Sequence, residues 1–163
     1  MTTPAPATAD DAAADSDAVV VRLGAGRFAV SLANVAEVGR VPAVTRVPGT
    51  PDWVAGVANW RGRILPILDL RHLLGSTRTP LEGAARLLVL GAEGVTVGLL
   101  VEAVDGTAVV AASAEPFPPT LAGAAAGLLA GQLPHPDGPV AVLDVDAVLR
   151  MRDSLPRGRR RSA

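Results

Sequence analysis

The sequence predicts an all-β fold, a barrel or sandwich built as two small lobes and closed by a C-terminal helix. Three observations point there. Short apolar runs recur at close spacing, each broken by Gly or Pro. Aromatic residues are 2% of the chain, so Val, Leu, Ile and Ala must fill the interior, and the β-branched members pack well on pleated surfaces. Hydrophobic residues reach 49% of the 163 positions, enough for a core in one domain or two fused lobes.

Residues 1–17 are rich in Ala, Thr, Pro and Asp; they are too polar to bury and are expected to form a disordered acidic leader. Residues 19–23 are an apolar run, Gly24-Ala25-Gly26 supplies a turn, and residues 27–32 alternate again, a hairpin signature. Leu32, Val35, Ala36 and Val38 fall at helical spacing and predict a turn or two of helix ended by Gly39. Residues 44–47 resume extended character before Pro48. Residues 53–60 and 63–70 flank Arg61-Gly62 as a second hairpin, where Gly62 can supply a positive φ. A short helical turn over 70–74 ends at Gly75, and residues 76–82 form a polar connection.

The second half repeats this style. Residues 86–90, 95–102 and 107–111 read as strands, with one turn at Gly91 and Gly94 and another at Asp105-Gly106. Residues 112–127 predict a long irregular loop. Residues 128–133 and 140–144 are further strands, and Val145, Val148, Leu149 and Arg152 share a helical period. The expected division is a folded unit over 18–154, its lobes at about 18–75 and about 84–154. A basic disordered tail then occupies 155–163.

A formal net charge of −1 gives no global attraction to nucleic acid or anionic membranes. Charge is uneven at the ends: Asp10, Asp11, Asp15 and Asp17 against Arg157, Arg159, Arg160 and Arg161. An arginine cluster can touch phosphates or headgroups, but a solvated tail is the favoured reading. The absence of cysteine excludes disulfides, thiolate zinc sites and Cys nucleophiles. Residues 1–14 lack the basic start and apolar run of a secretory signal. No stretch approaches the roughly 20 apolar residues of a membrane helix. A cytoplasmic protein with no direct membrane insertion is expected.

Chemical motifs are sparse. His72 and His135 lack partners at metal-ligand spacing, so no metal site is expected. Gly24-Ala25-Gly26 lacks the remaining glycine of a dinucleotide loop, and no nucleophile elbow or Walker sequence occurs, so no cofactor is expected. Asp69 and Asp144 each end an apolar strand. An acid–base pair of a small hydrolase is one reading; capping of the helical turn that follows is the favoured one.

The densest segment runs from Val47 to Leu70. Pro48 and Pro51 hold the backbone extended without sheet partners. Gly56 inside a strand marks a bulge or the close approach of another chain. Arg61 sits at a hairpin tip, where its planar fork can reach carbonyls or carboxylates of a partner. Pro66 cannot donate to a ladder, which predicts an edge strand or a bulge. On spacing alone, a plain hairpin with a solvated arginine is the favoured reading.

This segment resembles the signature of the CheW family: a Pro-rich lead, an aromatic, Gly56-Val57-Ala58-Asn59-Trp60-Arg61-Gly62, then an apolar strand holding Pro66 and ending in Asp69-Leu70. Asn34-Val35-Ala36-Glu37-Val38 is similar to the family's helix upstream, and Gly98–Val104, Leu129-Ala130-Gly131 and residues 140–149 resemble elements of its second lobe. Trp60 stands where the family usually has Leu, and Glu102 where Asp is usual. The resemblance implies two five-stranded β-barrels packed side by side, without a catalytic centre. It implies binding of the cytoplasmic tip of chemoreceptors in a groove between the barrels, and of the regulatory domain of a CheA-type histidine kinase. Carried over by position, the receptor-binding candidates are Val35, Glu37, Val38, Gly56, Asn59 and Arg61. The implied role is a non-catalytic chemotaxis adaptor held at receptor arrays through its partners, or a CheW-like scaffold in a histidine-kinase system outside motility. Glu37 and Arg61 are expected to pair across the groove and fix the guanidinium for docking.

Overall fold

The computed structural model describes residues 16–74, 80–110 and 127–155, which form ten strands and one α-helix in two five-stranded sheets. The all-β class expected from the sequence is observed. β1 (Ser16–Leu23) and β2 (Gly26–Ser31) form the first hairpin, with Gly24 at a φ of 62° in its turn. One turn of 3₁₀ helix over Leu32–Asn34 leads into β3 (Val35–Gly39). β4 (Val54–Trp60) and β5 (Arg63–Leu68) make the second hairpin, β6 (Arg86–Ala92) and β7 (Val95–Val101) the third. β8 (Ala103–Val110), β9 (Leu129–Leu133) and β10 (Val140–Leu143) follow, then α1 (Val145–Met151) and a 3₁₀ turn over Arg152–Ser154.

The sheets interleave along the chain. A central sheet has the order β3-β6-β7-β5-β4 and uses five consecutive strands. A terminal sheet has the order β8-β1-β2-β10-β9, so the first hairpin is joined by the last three strands, with β10 parallel to β2. The lobes expected at 18–75 and 84–154 therefore do not coincide with the sheets, because strand pairing ignores chain halves. Neither sheet closes into a barrel by backbone pairing: β3 and β4 are the two edges of the central sheet, and β8 and β9 those of the terminal one.

Both faces of the inner strands are buried, which explains their near-continuous apolar runs. Val19 and Val21 of β1 join a core shared between the sheets, with Leu88, Leu90, Leu99 and Val148 of α1. Ala18 and Val20 of the same strand turn the other way, into a cluster with Ala29, Leu133 and Val140. Likewise Leu87 and Val89 of β6 face a third cluster with Ala58, Leu65 and Ile67. Each fully buried Val or Leu side chain contributes about 1.5–3 kcal/mol. α1 covers the shared core, capped by Asp144, whose Oδ1 accepts from the Ala147 N–H at 3.1 Å.

Several local expectations are corrected. Residues 35–39 are strand, not helix: the positions alternate in burial and pair with β6, where β-branched Val35 and Val38 suit a pleated edge. Asp105-Gly106 is not a turn but lies inside β8, where the register against β1 shifts between Val20 and Val21 and Gly106 has a φ of 129°. β5 is not an edge strand; Pro66 is accommodated because pairing with β7 begins at Ile67. Ser16 and Asp17, expected in the acidic leader, begin β1, and Leu155 packs against the shared core instead of starting a tail; residues 1–15, 75–79, 111–126 and 156–163, on which most of the expected leader, connection, loop and tail fall, lie outside the described residues. Among the described residues no helix is long and apolar enough to cross a membrane.

Candidate functional site

The site is built on the tip of the β4–β5 hairpin. Trp60 pairs with Arg63, leaving Arg61-Gly62 as a two-residue loop with φ of 52° and 79°. Positive φ at both positions is the primed turn that matches strand twist. Gly62 takes it freely, whereas Arg61 carries a Cβ into the left-handed region. Asn59 stabilises this turn, since its Oδ1 accepts from the Gly62 N–H at 3.0 Å.

Opposite the tip lies β3. The central sheet curls until its two edge strands come within side-chain reach, and Glu37 bridges them. Arg61 Nε donates to Glu37 Oε2 at 2.9 Å, and Arg61 Nη2 donates to Oε1 in a second, parallel bond. Trp60 Nε1 adds a third donor to Oε2 at 3.1 Å. The expected Glu37–Arg61 pair is thus present and bidentate. The Arg61 hydrogen bond holds the Glu37 carboxyl below its ordinary value, partial burial opposes this, and the Trp60 N–H reinforces it; Glu37 in turn raises the Arg61 guanidinium. The Arg61 side chain is 74% exposed, so its fork is aimed yet open to a partner.

The remaining candidates divide. Val38 is exposed, with 44% of its surface free, on the same strand as Glu37. Val35 is half-buried and packs against the shared core. Gly56 is buried: a Cβ there would come within 2.2 Å of the Thr45 carbonyl oxygen. The close approach read from its sequence is made by this chain's own residues 44–45, held by paired Thr45–Val57 backbone hydrogen bonds of 2.8 and 2.9 Å. Gly56 also helps line an apolar groove of about 290 Å³ with Val47, Val54, Val57, Pro66, Arg152 and Leu155. The arginine that lines that groove is Arg152, not Arg61, so the charged tip and the groove beside Gly56 are separate.

Two carboxylates once open to an acid–base reading sit on different sheets. Asp144 ends β10 and caps α1. Asp69 follows β5 and accepts from Arg71, Nε to Oδ1 at 3.0 Å and Nη2 to Oδ2 at 2.8 Å, as well as from the Arg71 backbone N–H. Arg71 Nη1 also reaches Glu102 Oε1 at 2.9 Å, and that oxygen accepts from the Gly24 N–H at 3.3 Å. This buried cluster ties the central sheet to the first turn of the terminal one. Sequence reading missed Arg71, because nothing in its neighbours distinguishes a buried arginine from a solvated one.

A family model for the CheW-like domain matches residues 17–153. The chain belongs to the CheW-like domain family. Among relatives, it is 44% identical over 85 residues to Protein PilI of Pseudomonas aeruginosa, covering 52% of this chain and 48% of that protein. It is 36% identical over 93 residues to the Probable chemotaxis protein CheW of Rhizobium etli, covering 56% and 59%. The matched stretches therefore span less than two thirds of these CheW-like relatives. The crystal structure of the scaffolding protein TtCheW from Thermoanaerobacter tengcongensis superposes with a TM-score of 0.70 at 25% identity, covering 79% of this chain and 88% of that one.

Proposed function

We propose that this CheW-like chain is a non-catalytic scaffold that couples chemoreceptors to a CheA-type histidine kinase in chemotaxis signalling. The observation that carries this reading is the Arg61 fork, 74% exposed yet oriented by Glu37 at a hairpin tip. Glu37 holds the fork at a mostly solvent-exposed tip until a partner arrives, and arginine is enriched among interface hot spots. The names of the relatives and the likeness to a crystallised CheW scaffolding protein support the same role. Glu37, Arg61 and exposed Val38 would meet the receptor tip, with Asn59 fixing the turn and Val35 and Gly56 shaping the surfaces behind it. The scaffold shifts the kinase between active and inactive arrangements by making different contacts in each.

Titration of the chain with a receptor-tip helical fragment, and separately with the regulatory domain of a CheA-type kinase, tests this. Reversible micromolar binding to both is expected for transient signalling contacts; a chain that binds neither overturns it. A second reading keeps the scaffold and places it in a histidine-kinase system outside motility. The likeness to a protein named PilI rather than CheW is the reason to test kinases from more than one system. Preferential capture of a kinase unconnected with motility favours that reading.

A further inference from the structure

The Glu37 carboxylate has a donor that Arg61 does not control. Trp60 Nε1 reaches Oε2 at 3.1 Å, and the ring that carries it is fixed on two sides. Its Cη2 edge lies over Gly39, where a Cβ would come within 2.7 Å, and the ring packs against the cluster of Ala58, Leu65 and Ile67. Gly39 on β3 thus makes the space in which a β4 side chain crosses between the sheet's two edges. The indole aims its N–H at Glu37 because of this seat, independently of where the guanidinium points.

We propose that Trp60 is a positioning residue: its indole N–H keeps the Glu37 carboxylate seated while Arg61 turns to a carboxylate on the docking partner. The docking step rests on the role proposed above for Arg61. The Arg61 side chain is 74% exposed and can swing outward, whereas that of Glu37 is 29% exposed and anchored. When the guanidinium leaves, the carboxylate loses its cation but keeps a neutral donor, which holds it without competing for Arg61. A neutral N–H also favours the charged form of the carboxyl, in line with its contribution to the lowered Glu37 value.

Trp60→Phe keeps an aromatic ring over Gly39 and removes the N–H, so the fold should survive, as circular dichroism would show. The first measurement needs no partner: the Glu37 carboxyl is titrated by NMR. In an Arg61→Gln chain it should titrate higher than in the unaltered chain, and adding Trp60→Phe should raise it further, because burial opposes the charged form and the indole N–H favours it. A Trp60→Phe substitution that leaves the Glu37 titration of the Arg61→Gln chain unmoved overturns the seat. The second measurement is affinity for the receptor-tip fragment, where Trp60→Phe should weaken binding by about 3- to 10-fold. In a Glu37→Ala background the same substitution should change nothing further. An equal loss in both backgrounds means that Trp60 touches the partner itself, and overturns the proposal. Should the unaltered chain not bind the fragment, the docking role of Arg61 falls, and the titration alone decides whether Trp60 seats Glu37.

Discussion

Arg71 grips Asp69 in a bidentate ion pair inside the protein, with Nη2 2.8 Å from Oδ2 and the two residues 4% and 5% exposed. A third group, Glu102, accepts from the far side of the same guanidinium and stays partly in water. The asymmetry matters, because a buried charge that loses its partner has no solvent to fall back on.

Arg71→Met should therefore lower stability by about 3–5 kcal/mol, read by urea unfolding. Glu102→Gln should cost less, about 1 kcal/mol, since water reaches that end of the pair. Replacing Asp69 and Arg71 together by apolar residues should recover part of the single-variant loss. Equal losses for the Arg71 and Glu102 variants would contradict this account of the cluster.

The Glu37–Arg61 pair predicts a pH dependence with a definite sign. The carboxyl of Glu37 is held below its ordinary value in the folded chain, chiefly by the Arg61 hydrogen bond. Its contribution is whole above the ordinary glutamate range and is lost as pH falls through the lowered folded value. Stability curves of the unaltered chain and of Glu37→Gln should differ at neutral pH and converge on acidification. Curves that stay parallel down to strong acid would remove the pair from the stability account.

Arg61→Ala should lower the unfolding midpoint only slightly, by about the same small margin as Glu37→Gln, because the side chain is mostly in water. Affinity for a receptor-tip fragment should nevertheless drop by about tenfold or more. Isothermal titration measures this, and unchanged affinity would separate the tip from docking.

Gly56→Ala behaves differently. The residue has a φ of 149° and faces the Thr45 carbonyl, so an alanine meets both backbone strain and a main-chain clash. A loss of about 2 kcal/mol or more is expected in denaturant unfolding, with the Thr45–Val57 hydrogen bonds the first to exchange their protons. Stability equal to that of the unaltered chain would show that this approach is looser than it stands here.

Asp144→Ala should cost about 1 kcal/mol by removing the α1 cap, and Asp144→Asn should restore most of it. Thermal unfolding of the two variants makes the comparison.

The elements that sequence reading located are those whose signals are local. The Arg61-Gly62 loop, the Asp144 cap and the apolar period of α1 each depend on residues within a few positions of one another. Residues 35–39 went astray because Val35 and Val38 satisfy a helical spacing, while the strand's alternation in burial leaves Val38 exposed and Glu37 half-buried, against their hydrophobicity. Asp105-Gly106 carries turn residues, and only its pairing with β1 reveals a bulge. At the site, the Glu37–Arg61 pair was legible through family likeness, whereas the Trp60 N–H and the Gly39 seat depend on how far the central sheet curls. The separation of Arg61 from the apolar groove was not legible either, since Arg152 reaches that groove from the far end of the chain.

The interleaved sheets also set an order of assembly on the ribosome. β3 to β7 are consecutive, so the central sheet has all its strands once residue 101 has emerged. β2 must wait for β10, where Phe28 aligns with Ala141, and such distant pairing is slow to find. Until then the nascent chain presents the bare edge of β2, a surface that invites chaperones or a neighbouring copy. A stop codon shortly before residue 140 would make that waiting state permanent.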